Sequence, residues 1–205
     1  EIANCLVGSE MCIRDRQLKM MGIEAVKSST PAPCRQKIKD ALKIIMSGDE
    51  KMLNSFIKNF RDEFMNLSPE DIAYPRSVNG VSKYTDSSSG HDVSINLLDM
   101  REQIVQYNLF KKRAPIHVKG AILYNHLVEK HKMNNKLVYI QEGDKIKFLH
   151  MKEPNIYQSS SISFITELPK GLGLHGMIDY ELQFEKSFVE PLKFITDKVL
   201  WRIDD

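Results

Sequence analysis

Two amphipathic helices joined by a three-residue link constrain this chain more than any other feature. Over residues 31–67, Ile38, Leu42 and Ile45 recur at i, i+4 and i+7, the spacing that lines apolar side chains along one helix face. Gly48 then stops the run, as a glycine suited to the left-handed conformation that closes a helix. Asp49 follows as a cap for a second helix, in which Leu53, Phe56, Ile57, Phe60 and Phe64 fall on one stripe. A Ser-Gly-Asp link this short turns the two helices antiparallel. Their apolar faces need cover, so they pack on each other and on a later part of the chain.

The later sequence offers several elements. Residues 68–90 break the helical pattern with Pro69, Pro75, Gly80 and a Ser87-Ser88-Ser89-Gly90 run, and 78–84 reads as extended. Residues 94–107 have only a rough helical period. Helix returns over 115–131, where Ile116, Ala121, Leu123, Leu127 and Val128 are apolar. Residues 137–140 and 145–149 favour strands, and Gly143 between them suits a hairpin turn. A third strand fits 162–165. From 177 to 200 a long helix is expected, with Ile178, Leu182, Val189, Leu192, Ile195 and Val199 on one side and a kink at Pro191. The expected fold class is mainly α with a small antiparallel β element (α+β), a helical hairpin plus a long C-terminal helix.

The N-terminal stretch stands apart. Glu10-Met11-Cys12-Ile13-Arg14-Asp15 back-translates to GAG ATG TGT ATA AGA GAC, which resembles the mosaic end of a transposase-type sequencing adapter, and Cys5 to Ser9 fit the tag before it. Residues 1–16 are therefore expected to be adapter-derived and non-native, with true coding sequence starting near Gln17. The alternative is a native N-terminal arm. Of the three cysteines, Cys5 and Cys12 fall in this stretch and only Cys34 remains. One cysteine makes no intramolecular disulfide, and no Cys/His spacing resembles a zinc site, so a reducing compartment is expected. The whole chain carries 29 basic and 27 acidic residues, or +2. Residues 1–16 hold two of the basic and three of the acidic ones, which leaves 27 against 24, or +3. Mild basicity is compatible with nucleic-acid contact without proving it. No apolar run is long enough to span a bilayer, and no membrane partner is expected.

Catalytic motifs do not emerge. The sequence has no Gly-rich phosphate loop, no nucleophile elbow and no His-Glu-x-x-His helix. His126 and His131 lie five apart on one expected helix, poor spacing for a shared metal face. Binding signals are better. Lys27-Ser28-Ser29-Thr30-Pro31 places a cation and three hydroxyls before a helix; Thr30 at the N-cap with Pro31 at the first helical position accounts for part of it. Phosphate contacts account for the rest, since hydroxyls and free N–H groups at a helix start suit an anion, and both roles can hold together. Lys111-Lys112-Arg113 opens into a helix whose Lys119, Tyr124 and Asn125 offer donors. Gly120 inside that helix costs about 1 kcal/mol relative to Ala, which implies that something approaches its backbone closely. Ser82-Lys83-Tyr84 is a third such cluster.

Taken in order, these segments resemble family B replicative DNA polymerases of tailed bacteriophages. Leu18-Lys19-Met20-Met21-Gly22-Ile23-Glu24 with Lys27-Ser28-Ser29-Thr30-Pro31 resembles the family's palm-to-thumb junction. Val78-Asn79-Gly80-Val81-Ser82-Lys83-Tyr84 is similar to the strand entering the thumb. Pro115-Ile116-His117-Val118-Lys119-Gly120 through Tyr124-Asn125 resembles its Pro-x-His-[Ile/Val]-[Lys/Arg]-Gly helix. Glu142-Gly143-Asp144-Lys145-Ile146 resembles its hairpin. Ile178-Asp179-Tyr180, Phe184 to Phe188 and Pro191-Leu192 resemble its closing helix. The resemblance covers residues 17–202, with 86–112 matching least.

That resemblance implies residues 17–31 as the junction and 32–205 as a thumb domain truncated at its C-terminus. The parent would be a DNA-directed DNA polymerase, a nucleotidyltransferase whose thumb grips primer–template duplex DNA through backbone and minor-groove contacts. The DNA-binding residues it implies are Lys27, Ser28, Ser29, Lys83, Tyr84, His117, Lys119, Gly120, Tyr124 and Asn125. The palm aspartates are absent from this sequence, so the fragment would be inactive alone; no cofactor is expected in it, with Mg2+ belonging to the palm of the parent. Implied partners are duplex DNA, the palm of the same chain, and a sliding clamp reached through a tail that would follow residue 205. The implied location is the cytoplasm of the infected bacterial host. Two other readings stand beside it: a free-standing duplex DNA-binding module without catalysis, and a purely structural helical protein.

Overall fold

A computed structural model describes residues 11–14, 17–20, 27–86, 109–111 and 113–203. The expected residues 94–107, together with Lys112, lie outside that set. The chain divides into two compact units, one made of residues 1–74 and 180–205, the other of residues 75–179.

The first unit begins with β1 (Met11–Arg14) and β2 (Gln17–Met20), antiparallel strands in which Met11 faces Met20 and Arg14 faces Gln17. Its centre is the helical hairpin. In α1 (Ala32–Ser47) and α2 (Glu50–Phe64) the expected stripes are buried apart from Phe56, which is half-buried: Ile38, Leu42 and Ile45 against Leu53, Ile57, Phe60 and Phe64. Gly48 has φ 82 and sends its N–H to the Ile45 carbonyl, while the Asp49 carboxylate accepts from the Met52 N–H at 2.8 Å. Thr30 departs from expectation. Pro31 occupies the cap position of α1 with no side-chain capping bond, and Thr30 is buried instead. Pro31 itself is extended, with φ −54 and ψ 141, so the first helical residue is Ala32, one later than a Thr cap would give.

The long C-terminal helix is also revised. Helix α6 (Tyr180–Phe184) leads into a π-helical turn at Glu185–Val189, then α7 (Glu190–Thr196) and a 3-10 turn at Asp197–Val199. Pro191 has no N–H to donate and its ring crowds the carbonyl four residues back, at Ser187. The wider π turn lies where that clash would fall, so the chain widens at Pro191's upstream side. Ile178 lies outside the helix and within the second unit, where it bridges to Met151, and Leu182 is exposed. Phe184 and Phe188 complete a cluster with Phe60 and Phe64, with ring centroids 4.7 to 5.9 Å apart and most pairs steeply tilted. Beside it runs a buried polar chain: the Cys34 thiol donates to Ser187 Oγ (3.3 Å), Ser187 Oγ to the Gln183 carbonyl, and Gln183 Nε2 to the Ile72 carbonyl. Burial, the dominant influence, pushes the Cys34 thiol from 9.0 up to about 11.

The second unit is built on α5 (Ile116–Lys130) lying across a three-stranded sheet ordered β3 (Tyr74–Ser77), β4 (Lys145–His150), β5 (Ser161–Phe164), β3 starting at the last residue of the first unit. β4 and β5 run antiparallel, with Lys147 opposite Phe164 and His150 opposite Ser161. All four residues of β5 are buried. Ser161 and Ser163 donate their hydroxyls to the Ile116 and His117 carbonyls at 2.6 and 2.8 Å, satisfying polar groups that the helix–sheet contact would otherwise strand. The expected hairpin over 137–149 forms in one half only. Gly143 takes φ 87 as foreseen, yet 137–140 stays irregular, and β4 pairs with β3 and β5 instead.

Candidate nucleic-acid interface

The extended reading of 78–84 gives way to something tighter. β3 ends at Ser77, Gly80 turns the chain with φ 95, and Val81–Tyr84 forms a single helical turn, α4. Four residues cannot sustain a helix by themselves. A carboxylate from the 141–144 turn caps this one: Glu142 accepts from the Gly80 N–H at 2.5 Å and from the Ser82 N–H and Oγ at 3.1 Å. Those bonds, Gly80's first, hold the Glu142 carboxyl below its ordinary range although the side chain is exposed.

Cations gather around α4. Lys83 Nζ lies 5.2 Å from the Tyr84 ring centre, and Lys111 Nζ donates to the Lys83 carbonyl at 3.1 Å. A bridge between Thr85 and Phe110, with Lys111 N–H bonded to the Tyr84 carbonyl, ties 109–111 to the end of α4. Phe110 in turn carries Lys119 of α5, whose Nζ sits 5.4 Å from that ring. Lys83, Lys111 and Lys119 are therefore linked through two aromatic rings and a backbone bridge. Cations held over rings stay ordered while their outer faces remain open to an anion.

His117 lies two residues before Lys119 and on a different face of α5, half-buried, its ring 6.2 Å from that of Phe148. Burial first, and the Arg76 guanidinium second, hold its imidazole below the usual range, so it is neutral at pH 7. As a neutral ring it offers one donor and one acceptor.

Three of the expected contact residues are engaged within the fold. Gly120 is buried, and its close neighbour is the β5 backbone: a Cβ there would lie 2.7 Å from Ser163 N and 2.8 Å from the Ile162 carbonyl carbon. Tyr124 is 3% exposed, with its phenol raised by burial. Asn125 spends its amide on one residue, donating to the Ile140 carbonyl (2.9 Å) and accepting from the Ile140 N–H (2.8 Å). In the first unit, Lys27 and Ser28 are exposed and Ser29 half-buried in a turn closed by Thr30 N–H to the Lys27 carbonyl. Sequence reasoning missed Glu142 and Arg76 as parts of this surface. Glu142 gave no local signal, because its partners lie some 60 positions away.

Comparison with known proteins points to DNA polymerases of bacteriophages. Over 179 residues the chain is 28% identical to the DNA-directed DNA polymerase of Enterobacteria phage T4, covering 85% of this chain and 17% of that protein. Over 185 residues it is 30% identical to the DNA-directed DNA polymerase of Escherichia phage RB69, covering 88% of this chain and 18% of that protein. The chain thus spans less than a fifth of the length of the curated relatives it matches. No protein-family profile matches it.

Proposed function

We propose that this chain is a piece of a phage DNA-directed DNA polymerase of family B, its residues 32–205 forming the thumb that holds primer–template duplex DNA. The cation set of Lys83, Lys111 and Lys119, linked through Tyr84 and Phe110, carries the reading. Similarity along 88% of the chain to a phage polymerase supports it. A polymerase must hold whatever sequence it has just made, so its grip belongs on the phosphate backbone and the degenerate minor groove rather than on base edges. Lys83 and Lys119 held over rings, a neutral His117 and a half-buried Tyr84 suit that task, and mild net charge lets the duplex slide. Lys27, Ser28 and Ser29 supply a second set of phosphate contacts at the palm-to-thumb junction. Gly120, Tyr124 and Asn125 serve by fixing α5.

In the whole enzyme the palm carries out nucleotidyl transfer with Mg2+, a sliding clamp is met through a segment after residue 205, and the place of action is the infected bacterial cytoplasm. Among the described residues no group of three or more His, Cys, Asp or Glu side chains is placed to hold a metal ion.

The test is duplex binding by this chain, read as fluorescence anisotropy at salt from about 50 to 200 mM, with several unrelated sequences. Affinity should fall linearly on a log–log plot and vary little with sequence. Lys119→Ala should lower affinity uniformly and reduce the salt slope by about one unit. An unchanged slope removes Lys119 from the contacts. Absence of any salt-dependent duplex binding points to the purely structural reading.

A further inference from the structure

Glu142 is an acid set into a basic face. Simple electrostatics makes it a liability for a surface that meets a polyanion. Its bonds argue otherwise. Helix α4 has no side-chain cap of its own, and its first N–H groups would be open to water without the three bonds to Glu142. The acid itself sits on a firmly held turn. Gly143 N–H donates to the Val78 carbonyl at 2.8 Å, Val78 N–H to the Asp144 carbonyl at 2.9 Å, and Gln141 N–H to the Asp144 carboxylate at 2.8 Å. Gly80 adds a second constraint: a Cβ there would stand 3.0 Å from the Tyr84 ring, so ring and turn are packed as one piece. Lys83 and Tyr84 therefore take their positions from a carboxylate some 60 residues away.

We propose that Glu142 is a positioning residue for duplex binding, holding α4 so that Lys83 and Tyr84 face the phosphate backbone, at the expense of a negative charge on the binding face. The inference rests on the DNA-holding function proposed above. Its consequence has a sign opposite to that of charge alone. Removing an anion from a DNA-binding face should tighten binding if only charge counts. If Glu142 positions α4, the same removal loosens it.

The experiment measures duplex affinity at fixed salt for the 205-residue chain and for Glu142→Gln, Ser82→Ala, Lys83→Ala and the Glu142→Gln/Lys83→Ala double variant. Glu142→Gln keeps the shape but replaces one accepting oxygen with an NH2 group that cannot accept. Ser82→Ala removes one bond and leaves the charge in place. Both should weaken binding by roughly two- to tenfold, the span of losing or misplacing one phosphate contact. In the Lys83→Ala background, Glu142→Gln should weaken binding less, because only Tyr84 is left for it to position. Amide exchange at Gly80 and Ser82 should quicken in Glu142→Gln while α5 stays protected. Tighter binding by Glu142→Gln overturns the inference, as does equal weakening with and without Lys83, or unchanged exchange at Gly80 and Ser82. If the unmodified chain binds no duplex, the DNA-holding function itself fails; if it binds and Glu142→Gln tightens it, only the role of Glu142 falls.

Discussion

Gly120 of α5 and Ser163 of β5 approach so closely that no side chain fits between them: a Cβ on Gly120 would lie 2.5 Å from Ser163 Oγ and 2.7 Å from Ser163 N. The neighbour is strand backbone, paired with β4 along one edge and tied to α5 by the Ser161 and Ser163 hydroxyls, and cannot swing away. Gly120→Ala therefore sets two effects against each other. Alanine gains about 1 kcal/mol of helix propensity, and overpacking against a fixed strand costs about 1 to 3 kcal/mol. The methyl also crowds the Ser163 Oγ bond to the His117 carbonyl. The two effects net to about 0 to 2 kcal/mol, and the weakened Ser163 bond places the destabilisation in the upper half, about 1 to 2 kcal/mol, a fall in Tm of roughly 2 to 8 °C for a chain of this size. Gly176→Ala is the control, since nothing lies within 4 Å of a Cβ there, and it should change stability by no more than about 0.5 kcal/mol. A Gly120→Ala melt equal to the control would show that β5 yields.

The helical hairpin was legible because each of its signals is local. Gly48, Asp49 and the stripe from Leu53 to Phe64 act within one or two turns, and the structure uses them as expected. Gly120 was half legible: its cost inside a helix announced a close neighbour, but a sequence cannot say that the neighbour is β5 rather than a ligand. What failed was non-local. Residues 145–150 pair with β3 and β5, not with the adjacent 137–140, because pairing partners are chosen by the whole sheet. The 81–84 segment read as extended for the same reason, its helical turn depending on Glu142 in a distant turn. Among the site residues, Lys83 and Lys119 lie over the rings of Tyr84 and Phe110, whereas Asn125 offered the same donors on paper and spends them on Ile140.

That use of Asn125 makes a sharp prediction for Asn125→Asp. The Ile140 N–H can still donate to one carboxylate oxygen. The other oxygen then faces the Ile140 carbonyl, now 2.9 Å from the amide nitrogen, as acceptor against acceptor. Loss of one bond plus an unsatisfied carbonyl should cost about 1 to 3 kcal/mol at pH 7. A protonated Asp restores the amide's pattern, with its O–H donating where the NH2 group did. The folded pKa of this Asp is therefore raised above the ordinary value of about 3.9, so the deficit relative to Asn should shrink as pH falls through the folded value and be smallest below the unfolded one. Urea melts of both proteins across that range test it. A deficit that stays constant with pH would break the assignment of the Asn125–Ile140 pair.

His117 supplies a titration whose direction is fixed by its neighbours. Burial, then the Arg76 charge, holds its imidazole below 6.5. With the folded pKa depressed, stability from this group is fully present above the unfolded value near 6.5 and is lost as pH falls through the folded one. Arg76→Ala removes the smaller cause, so the His117 pKa should rise in that variant while staying below 6.5. A phosphate laid against His117 would favour the imidazolium and push in the same direction. Duplex DNA should thus raise the His117 pKa in the unaltered chain, which makes binding take up protons and tighten as pH drops from about 7.5 to 6. NMR titration of the His117 ring with and without duplex reads both effects. If duplex leaves the ring's titration where it was, His117 faces the DNA in neither protonation state and its place among the contacts is lost.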